Sequence, residues 1–472
     1  HESSGSALNE VIGVGKGTVT LEDFELADTI YIFGQNPGTN HPRMLLELRK
    51  ASKRGARILS FNPLREKGLI EFVNPQNAGE MLVNKSTGIS THYYQPVNGG
   101  DQAVLQGMIK HILEEEDRRG NIIDHAFIKE HTAGFSAYKD FIRQVSWDFL
   151  VKESCLTKAQ ITEAAEVYMQ SSRVIICWAM GLTQHKHAVA TIQELVNLLL
   201  LKGNIGRPGA GVCPVRGHSN VQGNRTVGIY EKPSKAFLDN LGYVFSFTPP
   251  QHEGYDVVQA IKAMAEGKAR VFIGMGGNFA AATPDTTFTE DALRNCELTV
   301  NITTKLNRSH VIHGKKAIIL PCLGRTEADH QASGLQFVTV EDSMSMVHAS
   351  TGRNEPAAPT LRSEPAIVAG IAKATLNGKG NVDWDHLVAD YNRIRDKIEE
   401  TIPLFKDFNK RLQQSFGFRL RNSASEREWN TTTAKANFSM NKVPALGLPE
   451  GQFRLMTLRS HDQYNTTVYS SN

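Results

Sequence analysis

Leu200 to Gly223 reads LLKGNIGRPGAGVCPVRGHSNVQG. An apolar helical pattern leads into it: Val189, Ile192, Leu195, Val196 and Leu199. Gly203 is placed to stop that helix, because glycine takes the left-handed C-terminal position at little cost. Gly206, Gly209, Gly211, Gly217 and Gly223 follow, with Pro208 and Pro214 between them. That density excludes a helix or a central strand. The same stretch carries Arg207, Arg216, His218, Asn220 and Gln222, with Asn224 and Arg225 just beyond. A long loop this rich in donors, inside a compact domain, reads as functional rather than as a linker.

Around it lie 472 residues, 40% hydrophobic and 21% charged, the balance of a globular chain of two to four domains. Lys plus Arg is 52 and Asp plus Glu is 49, a net charge of +3. Such a balance argues against nucleic acid or a membrane surface as the main partner. No apolar run approaches a membrane span, and the expected location is cytoplasmic. The five cysteines have no Cys-x-x-Cys spacing, so they make neither a zinc or iron–sulfur site nor a disulfide framework. The first residue is His1 rather than Met, so the chain reads as a fragment. Any signal, metal ligand or cluster motif upstream then lies outside it.

The run Gly13-Val14-Gly15-Lys16-Gly17-Thr18 is not a phosphate loop, because Glu10 stands where the first glycine belongs. It reads as a turn. TIYIFG, Thr29 to Gly34, reads as a buried strand, and QNPGTN, Gln35 to Asn40, as its loop. Asn40 with Pro42 reads as a helix start, Met44, Leu45, Leu48 and Ala51 as the helix face, and Gly55 as its end. RILSFNP, Arg57 to Pro63, is a second strand. Such β-loop-α-β units build parallel sheets that bind ligands at the strands' carboxyl ends.

The pattern repeats. Gly99-Gly100-Asp101 opens a helix, and Leu156 to Ser171 is another with a capping box at Thr157 and Gln160. RVIICW, Arg173 to Trp178, is a strand with AMGLTQHKH as its loop. After Gly223 a second round begins: a helix at 257–265, a strand at 269–274 with the loop MGGNFAAAT, a helix after Pro284-Asp285, and strands at 297–304 and 316–320. The echo between FGQNPGTN, WAMGLTQH and GMGGNF predicts two related α/β domains with mainly parallel sheets. From Ser363 the pattern is mainly helical. Residues 420–447 have no clear period and read as a linker. Gln452 to Leu458 is strand-like.

Four segments resemble the molybdopterin oxidoreductases that carry two molybdopterin guanine dinucleotides, in particular the formate-dehydrogenase-like alpha subunits. They are FGQNPGTNHPR (33–43), GLTQH (181–185), GNIGRPGAGVCPVRGHSNVQG (203–223) and LRSHDQYNTT (458–467). The resemblance spans the chain. It implies a first dinucleotide-binding α/β domain over 1–217, a second α/β domain over 218–380, a helical segment and linker over 381–447, and the start of a C-terminal β-barrel domain over 448–472. A domain carrying a 4Fe-4S cluster would lie upstream.

The resemblance also implies site residues. Gly34, Asn36, Pro37 and Asn40 would meet the phosphates of one cofactor. Asn62, Pro63 and Arg65 match a second strand-end contact, although an acidic residue is common where Asn62 stands. Gly100 and Asp101 would contact guanine or ribose. Met180, Gly181, Thr183 and Gln184 would lie against the pterin. Gly276, Asn278, Thr303 and Lys305 correspond to contacts with the other cofactor, and Arg459, His461, Asp462 and Gln463 to a loop closing over a pterin. His185 and His187 are loop histidines and are not read as metal ligands.

For catalysis the resemblance singles out His1, which follows the position of the metal ligand, and Arg216, which would hold a substrate carboxylate. Arginine stays charged and grips a small oxyanion through two donors. A histidine near the metal would take a proton as molybdenum or tungsten accepts two electrons. His218 stands where these enzymes usually carry an amide, so the substrate is read as a small acid or oxyanion rather than formate as such. Partners would be that substrate and an electron-transfer protein. The competing reading is a cofactor-free relative acting as a structural or electron-relay subunit. A nicotinamide dehydrogenase is disfavoured, because no G-x-G-x-x-G follows a strand.

Overall fold

In the computed structural model the described residues are 2–83 and 85–458, with the backbone alone at 463–464 and 466–467. His1, Arg459, His461 and Asp462 lie outside them, and of Gln463 only the backbone, in a two-residue strand, is described. The described residues form two units that interleave in sequence. Among the described residues the first comprises 2–222, 342–345 and 421–458, and the second 223–341 and 346–420.

The first unit is built on a five-stranded parallel sheet: β1 (Thr29–Phe33), β2 (Arg57–Phe61), β3 (His92–Tyr94), β4 (Val174–Trp178) and β5 (Gly211–Pro214). Its spatial order is β3-β2-β1-β4-β5. The chain steps outward from β1 to β3, then returns to lay β4 on the other side of β1. A switch point therefore falls between β1 and β4, where such sheets open a crevice at their carboxyl ends. TIYIF and VIICW are buried at every position, as strands covered on both faces must be.

Alternate side chains face two cores. Tyr31, Phe33, Phe61, Ile176 and Trp178 join α1 (Glu2–Ile12), α5 (Asp101–Arg119), α6 (Lys158–Gln170) and α8 (Ala188–Leu200) on one face. Ile30, Ile32, Ile58, Ile175 and Cys177 meet Leu45, Leu48 and Ala51 of α3 (Met44–Arg54) on the other. Each fully buried Ile or Phe contributes about 1.5–3 kcal/mol. Helix α6 has the predicted capping box, and α3 ends at Gly55 in the left-handed region.

Four readings change, three of them as follows. Asn40 is the last residue of a short helix α2 (Pro37–Asn40), and Asn36 is its cap, accepting from the Thr39 N–H at 3.2 Å. The Pro37 that follows Asn36, with its preset φ, decides between the two asparagines. The glycine-rich stretch contains strand β5, which its prolines and glycines allow because it lies at the sheet edge. Residues 421–447 are packed against the first unit rather than loose. Asn422 Nδ2 donates to Gly17 O at 2.7 Å, Ala424, Trp429, Ala436 and Phe438 are buried in the first core, and Ala436–Asn437 pairs in parallel with Thr132–Ala133.

The second unit carries a three-stranded parallel sheet of β6 (Val271–Met275), β7 (Leu298–Thr303) and β8 (Lys316–Pro321), with β7 central. Helices α9 (Val257–Ala265), α10 (Phe279–Ala282) and α11 (Thr286–Arg294) cover one face, with Ile261, Met264, Ala280 and Ala292 packed on Phe272 of β6. A small antiparallel sheet of β9 (Val338–Glu341), β10 (Met346–Ser350) and β11 (Phe418–Arg419) lies in the same unit. Gln452 to Leu458 forms no strand; Phe453 and Leu455 are exposed and no described strand pairs with them.

Candidate functional site

The carboxyl ends of β1, β2, β4 and β5 bring the first unit's predicted residues to one edge. Gly34 follows β1 with φ +53, a conformation glycine takes without strain. Its N–H donates to Phe61 O, the last residue of β2, and its carbonyl accepts from Gly181 N–H, each at 3.0 Å. A Cβ on Gly34 would lie 2.7 Å from Leu182 and 2.8 Å from the Gly181 backbone. The loops after β1 and β4 are thus in backbone contact across the switch point.

Asn36 caps α2 and also donates from Nδ2 to Glu66 Oε2 at 2.7 Å. Pro37 is buried. Asn62 turns back on the backbone: its amide donates to Gln35 O at 3.2 Å. The Pro63 carbonyl accepts from Gln95, and the Arg65 guanidinium lies 5.7 Å above the Tyr93 ring. Burial raises the Glu66 carboxyl above the usual carboxylate range.

Met180, Gly181 and Thr183 form one turn of helix, α7 (Met180–Thr183), with Gln184 behind it. Ser3 donates to Thr183 O at 3.3 Å, and the buried Trp178 indole donates to Ser4 Oγ at 3.0 Å. These bonds seat the start of α1 on the β4 loop. Gly100 caps α5 so closely that a Cβ would meet Glu153 O at 2.9 Å. Asp101, 6% exposed, begins that helix, and burial pushes its carboxyl up to about 7. Asp101, His185, His187 and Arg454 line a cavity of about 160 Å³. Burial lowers the His185 imidazole, and Arg454 and His187 add to this. No metal-binding group of three or more His, Cys, Asp or Glu occurs among the described residues.

Arg216 follows β5. Its N–H donates to Ser343 Oγ, its Nη2 donates to Gly15 O at 3.1 Å, and its carbonyl meets the His41 ring at 3.1 Å. His218 is half-buried in the same loop. Gly15 lies beyond the C-terminal end of α1, whose 11 residues span roughly 16 Å at 1.5 Å per residue. In this arrangement the Arg216 head is at the opposite end of α1 from Ser3 and Ser4.

The second unit repeats the device. Gly276, φ +64, donates to Ile302 O at 2.8 Å, and Asn278 stands at the N-cap position of α10 while its Oδ1 accepts from Ser309 Oγ. Thr303 donates to Lys305 O at 2.8 Å. Glu66 and Arg454 escaped the sequence reading. Glu66 stands between Arg65 and Lys67, where a charge ordinarily marks a solvated turn. Its one signal was its place just past a buried strand.

A pyranopterin dinucleotide needs acceptors for its base and hydroxyls and cations for its phosphates. Gln35, 2% exposed, leaves its buried Oε1 without a protein donor, and Asn40 Oδ1 is in the same state. Both belong to the loop that leaves β1, and Arg65, Lys67 and Arg216 follow the neighbouring strands. These residues fit such a group.

A doubly wound parallel sheet with glycine-led loops at its carboxyl edge is an architecture that binds ligands at that edge. The family described as molybdopterin oxidoreductase matches residues 6–330, and the chain belongs to it. Membership implies a molybdenum- or tungsten-pterin cofactor. An uncharacterized oxidoreductase of Mycobacterium tuberculosis, Rv2900c, is 50% identical over 99% of this chain and 60% of its own length. The alpha subunit of the F420-dependent formate dehydrogenase of Methanocaldococcus jannaschii is 30% identical over 64% of this chain and 42% of its own. The solved structure of acetylene hydratase from Pelobacter acetylenicus shares the fold. Its TM-score is 0.63, at 15% identity, over 92% of this chain and 58% of that one. The chain thus spans about 60% of the Mycobacterium relative. No helix among the described residues is long and apolar enough to cross a membrane.

Proposed function

We propose that the chain is the cofactor-binding part of a formate-dehydrogenase-like oxidoreductase. It would carry out a two-electron conversion of a small acid or oxyanion and pass the electrons to a protein partner. The observation that carries this is the backbone meeting of the Gly34 and Gly181 loops at one sheet edge, with His41 of the β1 loop on the Arg216 carbonyl, in a chain 30% identical over 64% of its length to a formate dehydrogenase alpha subunit. When bound, a bis-molybdopterin guanine dinucleotide with molybdenum or tungsten supplies the redox step.

The chain's own residues bind and orient. The β1 and β2 loops hold one dinucleotide tail, with Asn36, Asn40 and Asn62 at its polar groups. Gly276, Asn278, Thr303 and Lys305 hold the other. Arg216 grips the oxyanion through its planar donors, and His218 beside it exchanges protons. An iron–sulfur cluster in the longer polypeptide would carry the electrons away.

The test is to express the full-length protein, denature it, and measure the metal and guanine nucleotide released. Stoichiometric molybdenum or tungsten with guanine nucleotide is expected. Absence of both overturns the reading.

A further inference from the structure

We propose that Glu66 supplies the carboxylate that hydrogen-bonds the ribose 2′-hydroxyl of the nucleotide held by the first unit. The inference rests on the dinucleotide reading above and names the residue that selects the sugar.

In a doubly wound sheet the loop after the first strand takes the phosphates. An acidic residue past the second strand reads the ribose. Here the first position past β2 is Asn62, and its amide is already engaged with Gln35 O. The acid comes four residues later. Glu66 is nevertheless drawn back toward the loop of β1, because Asn36 Nδ2 holds its Oε2 at 2.7 Å. The carboxylate therefore lies between the ends of β1 and β2, on the side of the phosphate-binding loop where the acidic residue past the second strand reads the ribose.

The turn that presents it is fixed in advance. The Tyr93 hydroxyl, on β3, accepts from the Glu66 N–H at 3.0 Å and donates to Leu64 O at 2.6 Å. Behind it, α4 (Lys67–Ile70) touches α2 backbone to backbone. A Cβ on Gly68 would lie 2.9 Å from Gly38 Cα. That contact sets the separation of Glu66 from Asn36.

Glu66 forms no ion pair with a described residue; its neighbour Arg65 lies over the Tyr93 ring instead. A half-buried carboxylate with one oxygen held by an amide keeps its other oxygen available to a donor. It would repel phosphate, so it belongs to the sugar end. The unpartnered Gln35 Oε1 and Asn40 Oδ1, in the loop that Asn36 anchors, are a second sign that this edge awaits donors. In the second unit the equivalent asparagine, Asn278, bonds Ser309, and no acidic residue stands between Thr303 and Ser309.

The experiment is equilibrium dialysis of the chain with GDP and with 2′-deoxy-GDP. The wild type should bind GDP about ten- to a hundredfold more tightly than 2′-deoxy-GDP, the worth of a hydrogen bond to a charged acceptor. Glu66→Gln keeps an acceptor for Asn36, so the loop is retained. It should lose the preference while its affinity for 2′-deoxy-GDP stays unchanged. Equal affinities in the wild type, which need no variant, overturn the proposal. So does a preference that survives in Glu66→Gln. GDP binding without sugar preference refutes the role of Glu66 alone, whereas no GDP binding by the wild type refutes the nucleotide reading with it.

Discussion

Replacing Gly181 by alanine tests the backbone contact on which the crevice depends. A Cβ there would stand 2.6 Å from Gly34 Cα and 2.8 Å from its carbonyl carbon, with the carbonyl oxygen nearer still. These are backbone atoms, so no side chain can swing aside. Gly34 cannot easily retreat, because its N–H is bonded to Phe61 O and its carbonyl to Gly181 N–H. Overpacking of this kind costs roughly 1–3 kcal/mol, and straining one of the two hydrogen bonds adds about 1 kcal/mol. Against this, alanine in the α7 turn gains up to about 1 kcal/mol over glycine. The net is a loss of about 1–3 kcal/mol. Gly5→Ala is the control: Gly5 also lies in a helix, α1, and nothing stands within 4 Å of its Cβ position. It should stabilise by about 0.5–1 kcal/mol. Each kcal/mol moves the midpoint of a unit this size by roughly 2–4 °C. Thermal unfolding followed by calorimetry should lower the first unit's transition in Gly181→Ala and raise it in Gly5→Ala. Gly181→Ala melting at or above the wild type would refute the reasoning.

Buried Glu194 accepts from Tyr138, Gln106, Asn197 and Asn441, and burial lifts its carboxyl to about 7. The folded chain thus binds a proton that the unfolded chain releases near pH 4.5. Stability should fall by on the order of 3 kcal/mol as pH rises from 4.5 through 7, and Glu194→Gln should flatten urea midpoints over that window, leaving the slope of the same sign from Asp101. Asn422→Ala leaves Gly17 O without its buried donor; it should cost roughly 1–3 kcal/mol and speed limited proteolysis within 421–458. Arg216→Lys in the full-length enzyme keeps the charge but loses the planar grip; turnover should drop about ten- to a hundredfold with metal and nucleotide content held, and parallel loss of content would instead make Arg216 a cofactor clamp.

The strands were legible because parallel strands buried on both faces must be continuous apolar runs. TIYIF and VIICW are such runs, and the glycine after each marks where the chain turns at the crevice. The packing of 421–447 left no such trace. Its anchors, Ala424, Trp429, Ala436 and Phe438, fall at no regular period, and its main polar tie joins Asn422 to a carbonyl 405 residues away. Contacts of that range are set by the tertiary fold, and a segment holding by single residues looks in sequence like a polar linker. Glu66 was hidden for a related reason. Charged residues on both sides give it the profile of a solvated turn, and only the folded position of Asn36 and Tyr93 distinguishes it.

The two sheets solve one problem twice, and the comparison separates what is fixed from what varies. Gly34 reaches Phe61 at the end of β2, and Gly276 reaches Ile302 near the end of β7. Both bonds run backbone to backbone from a glycine with positive φ, so they depend on geometry that only glycine adopts cheaply. Asn36 and Asn278 each stand at the N-cap position of the short helix that follows, with only Asn36 closing it by its side chain, and each extends its side chain to a residue past the neighbouring strand. There the units part: Asn36 meets a carboxylate, Glu66, and Asn278 meets a hydroxyl, Ser309. A carboxylate keeps a second oxygen for a ligand donor, whereas the Ser309 hydroxyl bonds both Asn278 and the Ala280 N–H. The glycine hook is therefore the shared scaffold, and the residue that the asparagine meets is where the two edges differ in chemistry.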